Sequence, residues 1–360
     1  MIKKYSIFTS FAIAGMILSA CGSPATTKNN PSEQINLTPA DRFDLSHWKI
    51  TLPVDEDGDR KVDGVSAENI LTFSHPNFFY LDNAGGMVFV APNNGALTEN
   101  TNNTRSELRY MLRGENKKIR TSDAGNNFAI RGHKKANQFG AIGGRMDATL
   151  KVDHVARNTN EPNRKSAYST VIGQIHAVKF KDSTKGLLYG NEPLKIIYKK
   201  WPDHDTGSVL WAYERNLAKE DPNRTDIVYP VWGNMRTNSE SPGVDGVALG
   251  EEFSYTVNVH ENTMYLTFES PSKPIAKFEI NLADNIDANG EVDQLDNPSG
   301  YIADSLYFKA GVYNQCSAKS KAKPSKVICH GTGDWDIDKA NGNYAQVTFT
   351  KLNVGKSTAP

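Results

Sequence analysis

Three short stretches carry the side chains that could do chemistry. In "RSELR", Arg105, Glu107 and Arg109 share one face of a strand, with Ser106 and Leu108 on the other. Guanidiniums held by a central carboxylate keep donors free to grip an anion. In "GQIHA", Gln174 and His176 share a face, offering an amide donor and a group that exchanges protons near neutral pH. In "YFKAGVYNQC", Tyr307, Lys309, Tyr313 and Gln315 line one side, while Phe308, Ala310 and Val312 fill the other. Gly311 is expected to leave room for close approach. Each stretch alone reads equally as a solvated strand face or a polar edge strand. Together they describe a surface for an anionic, hydroxyl-rich ligand. It lacks the paired carboxylates of glycoside hydrolysis. The nearest acidic pattern, Glu291, Asp293 and Asp296, lies among turn signals.

Strands must position these groups. Segments such as "GGMVFVAP", "GRMDATLKV", "STVIGQIHAV", "LKIIYKK", "SVLWAYE", "LYFKAGVYN" and "YAQVTFTKLNV" recur with polar turns between them. "VHENTMYLTF" reads as a hairpin turning near Glu261, Asn262 and Thr263. Long amphipathic helical patterns are scarce. The expected class is all-β, a sandwich or jelly roll, in one domain over residues 41–355. "ARNTNEPNRKSAY" and the stretch from Asn216 to Gly250 read as long loops able to frame a site.

The first twenty residues read as an export signal, with Lys3 and Lys4 before an apolar stretch too short to favour a permanent span. The stretch ends in "LSAC", which resembles a lipobox cleaved before a lipidated cysteine. That resemblance implies acyl chains on Cys21, and two or more suffice for stable anchoring. Gly22 rather than Asp after the cysteine implies the outer membrane. Residues 21–40 then form a polar tether. Setting Cys21 aside leaves Cys316 and Cys329, an even pair in an exported chain. We expect a disulfide worth about 3 kcal/mol, with free thiols as the alternative.

Among 360 residues, 41 basic and 41 acidic side chains cancel, which argues against a general nucleic-acid binder. "DEDGDRKVDG" spaces Asp55, Asp57 and Asp59 like a calcium loop. Arg60, however, stands where such a loop needs glycine, and Ser66 where it needs glutamate. We read an acidic turn and expect no metal site. His47, His75, His133, His154, His204, His260 and His330 show no ligand spacing and read as structural or surface residues.

At the three site stretches the chain resembles polysaccharide lyase family seven, the alginate lyases. The family's arginine strand, its Q-[IV]-H strand and its Y-x-K-A-G-x-Y-x-Q strand occur here in order, without mismatch. "HWKITLPVD" and "YAQVTFTKLNV" also resemble the family's termini. The resemblance implies a β-jelly roll of two antiparallel sheets with a concave substrate groove. It also implies β-elimination on the anionic polyuronate alginate, without a cofactor, leaving an unsaturated uronate at the non-reducing end. By motif position, Arg105 and Gln174 would neutralise the sugar carboxylate. His176 would assist, and act as base for guluronate. Tyr313 would protonate the departing oxygen, and would also take the proton from mannuronate. Glu107, Arg109, Tyr307, Lys309 and Gln315 would orient these groups or bind neighbouring sugars. A free tyrosine titrates near 10, so Arg105, Lys309 and a protonated His176 are expected to favour tyrosinate. Ile175 points to guluronate-containing blocks. A mannuronate-preferring lyase and a non-catalytic alginate-binding lipoprotein are the alternatives. Endolytic and exolytic action stay open, and the expected state is a monomer.

Overall fold

Period-two alternation of apolar residues sets the architecture. In the computed structural model, which describes residues 37–99, 101–179, 188–319 and 327–360, the main strands are these. They are β1 (Trp48–Thr51), β2 (Gly64–Val65), β3 (Phe79–Leu81), β4 (Met87–Pro92), β5 (Arg105–Tyr110), β6 (Gly144–His154), β7 (Ser169–Ala177) and β8 (Leu194–Lys199). Then come β9 (Thr206–Glu214), β10 (Asp226–Trp232), β11 (Glu252–His260), β12 (Thr263–Ser270), β13 (Lys273–Asn281), β14 (Leu306–Asn314) and β15 (Tyr344–Gly355). They build two sheets, ordered β10-β9-β8-β7-β14-β5-β1-β2 and β13-β12-β11-β6-β15-β4-β3, with antiparallel neighbours throughout. Leu37–Pro360 forms one compact unit. Cys21 lies outside the described residues.

The two sheets differ in what their outer faces meet. β6 alternates buried and half-buried residues along its whole length, the signature of one face in the core and one in water. β7 and β14 are buried on almost every residue, on both faces. Between the sheets, Phe89, Met146, Tyr255, Trp211 and Phe349 are fully buried. Leu108, Ile175 and Phe308, which alternate with the candidate site residues, join that core. Each such side chain contributes about 1.5–3 kcal/mol by leaving water, so the strands carrying the chemistry are anchored from behind. Tyr255 of the second sheet donates to Ile172 O at 3.2 Å. A Cβ on Gly173 would lie 2.5 Å from that hydroxyl oxygen, so only glycine admits the contact.

The pairing of β14 with β7 shifts between Ala310 and Tyr313. Gly311 absorbs this bulge at φ +133, and a Cβ there would sit 2.6 Å from Ser106 O. Its requirement is thus backbone conformation together with close approach, and the approaching group is the β5 backbone.

The stretch from Asn216 to Gly250, expected as a loop, contains β10. Pro230 disguises the strand. It is tolerated because β10 is the edge of its sheet and Pro230 is exposed. The hairpin forms as expected, pairing His260 with Thr263 around Glu261 and Asn262. A short helix, Trp335–Ala340, had no sequence signal strong enough to find; Asp334 caps it by accepting from Ile337 N at 3.1 Å. Cys316 and Cys329 are joined in a disulfide, Cα atoms 5.5 Å apart, inside a small buried cluster with Ala156 and Tyr168.

Candidate active site

Strand register brings the three stretches together. Tyr313 of β14 faces Arg105 of β5, Gly311 faces Glu107, and Lys309 faces Arg109. On its other side, Lys309 faces Gln174 of β7 and Tyr307 faces His176. β14 is therefore central and no edge strand. Its polar neighbours are not solvated either: Glu107 is 3% exposed, Gln174 1%, Lys309 6% and Tyr313 9%. Buried polar groups at this density must satisfy one another or await a ligand.

Glu107 organises the cluster. Arg105 Nη1 donates to its carboxylate at 2.9 Å, and the Lys309 ammonium and Gln174 Nε2 also donate to it. Burial alone would raise this carboxyl's pKa. The charges of Lys309 and Arg105, with their hydrogen bonds, outweigh burial and hold it below the usual glutamate range. With both oxygens engaged, Glu107 orients cations rather than touching sugar. Burial, then Arg105, brings the Lys309 ammonium down to about 8 against the pull of Glu107. Arg105 Nε and Gln174 Oε1 are buried and find no partner among the described residues. Both retain hydrogen-bonding capacity for a polar ligand.

Each tyrosine rests on an arginine. The Arg105 guanidinium lies 4.1 Å from the Tyr313 ring centre, and that of Arg109 lies 3.9 Å from Tyr307. Arg109 donates to Thr121 O and Asn127 Oδ1, both at 3.0 Å, so it supplies charge and a platform more than free donors. Burial raises the Tyr307 hydroxyl against the field of Arg109, keeping it a donor. Gln315 follows the strand and donates to Tyr313 O at 3.2 Å.

His176 stacks on Tyr307, ring centres 5.3 Å apart and planes 13° from parallel. Its Nδ1 lies 2.7 Å from Ala177 O, which can only accept, so Nδ1 carries the proton. Nε2 faces Glu192 Oε1 at 3.4 Å, a contact that favours a proton on it. Burial, with Lys309 and Arg105 nearby, pulls the imidazole down to about 4 despite Glu192. That direction favours a neutral ring able to accept a proton, and works against the cationic help from His176 to Tyr313 that the sequence led us to expect.

Sequence reasoning missed the groups beyond Gln174. Lys195 of β8 faces Gln174 in register. Its ammonium lies 2.8 Å from Glu192, 2.8 Å from Asp226 and 3.8 Å from Glu214. Arg236 pairs with Asp226 at 3.2 Å and Arg224 with Glu214 at 3.3 Å. Burial pushes Glu214 up to about 7, with Glu192 adding to the rise and Lys195 opposing it. These residues sit on three strands and three separate loops, so only strand order could have gathered them.

The acidic turn brings carboxylate oxygens of Asp55, Asp57 and Asp63 within 4.8 Å of one another. Asp59 turns away to Lys61 at 2.8 Å. The three each accept a backbone N–H of the turn, from Arg60, Asp59 and Glu56 respectively, each at 3.0 Å.

Known proteins resemble the chain over nearly its full length. The family model described as alginate lyase matches residues 43–356. An alginate lyase of Klebsiella pneumoniae is 34% identical over 334 residues, covering 90% of this chain and 93% of that protein. The crystal structure of the alginate lyase from Klebsiella pneumoniae superposes with a TM-score of 0.69 at 30% identity, over 89% of this chain and 99% of that one. The exolytic PL7 alginate lyase AlyA5 from Zobellia galactanivorans gives a TM-score of 0.69 at 30% identity, over 90% and 99% of the two chains.

Proposed function

The chain belongs to the alginate lyase family, a polysaccharide lyase on the family's two-sheet jelly roll. From that premise we propose that it cleaves guluronate-containing alginate by β-elimination at a centre formed by Arg105, Gln174, His176 and Tyr313. The observation that carries this reading is the buried cluster in which Glu107 pre-orients Arg105, Lys309 and Gln174. Removing the proton on C5, beside an ionised carboxylate, builds negative charge that fixed donors must offset. Arg105 Nε and the second amide hydrogen of Gln174 are available for that carboxylate. The bare Nε2 of His176 takes the C5 proton of guluronate. The C5–H electrons form the C4–C5 double bond, the C4–O bond breaks, and the Tyr313 hydroxyl protonates the leaving oxygen. Mannuronate presents its proton on the opposite side, where Tyr313 is the base.

Ile175 supports the guluronate preference indirectly. It is fully buried in the core beneath Gln174 and His176, so it acts by setting their strand rather than by touching sugar. The similarity to a lyase described as exolytic and the ion-paired residues beyond Gln174 support cleavage near a chain end. The reading includes export as a lipoprotein held at the outer membrane through Cys21, supported by "LSAC". A Cys21→Ser variant that still incorporates labelled fatty acid would refute the anchor. The main test incubates the protein separately with polyguluronate and polymannuronate. Ultraviolet absorbance from the new conjugated double bond should rise with both, faster with polyguluronate. New reducing ends without absorbance would mean hydrolysis.

A further inference from the structure

The register places a row of side chains straight across five strands of the first sheet. Lys49 of β1 faces Arg109 of β5, Arg109 faces Lys309 of β14, Lys309 faces Gln174 of β7, and Gln174 faces Lys195 of β8. Direct cross-strand partners project from the same side of a sheet. Neighbouring positions in the row lie one strand spacing apart, about 4.8 Å.

The cations in the row differ in how they are neutralised. Lys195 has three carboxylates and Lys309 has Glu107. Lys49 has neither a carboxylate nor a hydrogen-bond partner among the described residues. Burial pulls its ammonium down to about 8, and the neighbouring charges of Arg109 and Arg113 add to the fall. A half-buried cation facing only like charges is unfavourable in the free protein, and a ligand carboxylate relieves that cost. Space for a ligand is present. An open cavity of about 520 Å³ is lined by Lys49, Arg109, Arg120, Thr121, Lys179 and Tyr307. Arg120 already pairs with Asp123 at 3.0 Å. Arg109 commits donors to Thr121 and Asn127. Lys49 is thus the uncommitted charge of the row, and exposed Lys179 lines the same cavity.

We propose that Lys49, backed by Arg109 and sharing its cavity with Lys179, forms a distal subsite that binds the carboxylate of a uronate a few sugars from the cleaved bond. This rests on the elimination centre assigned above. From β1 to β7 is three strand spacings, roughly 14 Å. The substrate chain runs along the row toward β1 and not toward β10.

The test measures KM on saturated oligouronates of increasing length for the wild type, Lys49→Met and Lys49→Arg, with Lys277→Met on the opposite sheet as a charge-loss control. KM of Lys49→Met should rise roughly five- to tenfold on the longest chains, the weight of one partly buried charge contact. The ratio to wild type should shrink on chains too short to reach β1. Lys49→Arg should recover most of the loss, and Lys277→Met should match wild type. An equal loss at every length, or none, would overturn the subsite. Absence of ultraviolet absorbance from the wild type would instead sink the elimination reading. In that event calorimetry on the same oligomers still decides the subsite, since equal affinity of Lys49→Met and wild type overturns it.

Discussion

The two ends of the residue row in the first sheet hold the same residue type in opposite circumstances. Lys195, at the β8 end, is locked among Glu192, Asp226 and Glu214, and its pKa is raised well above normal because those charges outweigh burial. Lys49, at the β1 end, has only cations for charged neighbours among the described residues, and burial with those charges brings it down to about 8. The first arrangement is complete without a ligand; the second is incomplete without one. A groove that binds a polyanion needs unmatched positive charge, and of the two ends only the β1 end supplies it.

The largest expected effect would break this comparison if it failed. Lys195→Met leaves buried carboxylates uncompensated and should cost about 3–5 kcal/mol in urea unfolding. Lys49→Met should cost less than about 1 kcal/mol, because no internal partner is lost. Similar losses for both would erase the distinction between a structural and a ligand-facing lysine.

Next in size is Gly311→Ala. It forces a Cβ against Ser106 O at a φ that side chains rarely adopt. A loss of about 1–3 kcal/mol is expected, together with weakened activity as Tyr313 shifts. An unchanged melting temperature would show that the bulge relaxes at no cost.

The next effect is pH-dependent. His176 faces Glu192, Lys309, Arg105 and the Tyr307 ring, with Lys195 behind Glu192. Its pKa of about 4 in the fold lies below the value of about 6.5 in the unfolded chain. Between these values the unfolded chain binds a proton that the fold does not. This contribution is therefore fully present above about pH 6.5 and lost progressively as pH falls toward 4. His154, also brought to about 4 by burial, adds to the same slope. Replacing His176 by Asn should flatten part of it; an unaltered slope would mean the imidazole is not held neutral.

The smallest effect is ionic. Raising salt from 0.05 to about 0.2 M should increase KM of the wild type more than that of Lys49→Met, since screening acts on the half-buried, unmatched end that opens to solvent.

How much of this was legible in the sequence follows from what alternation can report. The period of two placed Tyr307, Lys309 and Tyr313 on one face and Phe308 on the other, and the structure keeps that division. It could not tell a solvated face from a buried one. That depended on β14 lying between β7 and β5, a matter of strand order. The same limit hid the group around Lys195, whose members are gathered from three strands and the loops beside them. Lys49 was in view inside "HWKIT", but nothing in that stretch says that Arg109 is its neighbour or that no acid is. β10 was lost to Pro230, a breaker in sequence that an edge strand accommodates. Gly311 was legible as a point of close approach, but its positive φ and the bulge it absorbs were not.

The central claim is that Tyr313, seated on Arg105 and beside the Glu107 cluster, hands a proton to the departing sugar. The most direct measurement compares turnover and oligouronate binding of Tyr313→Phe with wild type. The account predicts a fall in turnover of about 10²–10⁴-fold with binding changed by less than about threefold. Retention of most of the wild-type rate, with binding intact, would contradict it.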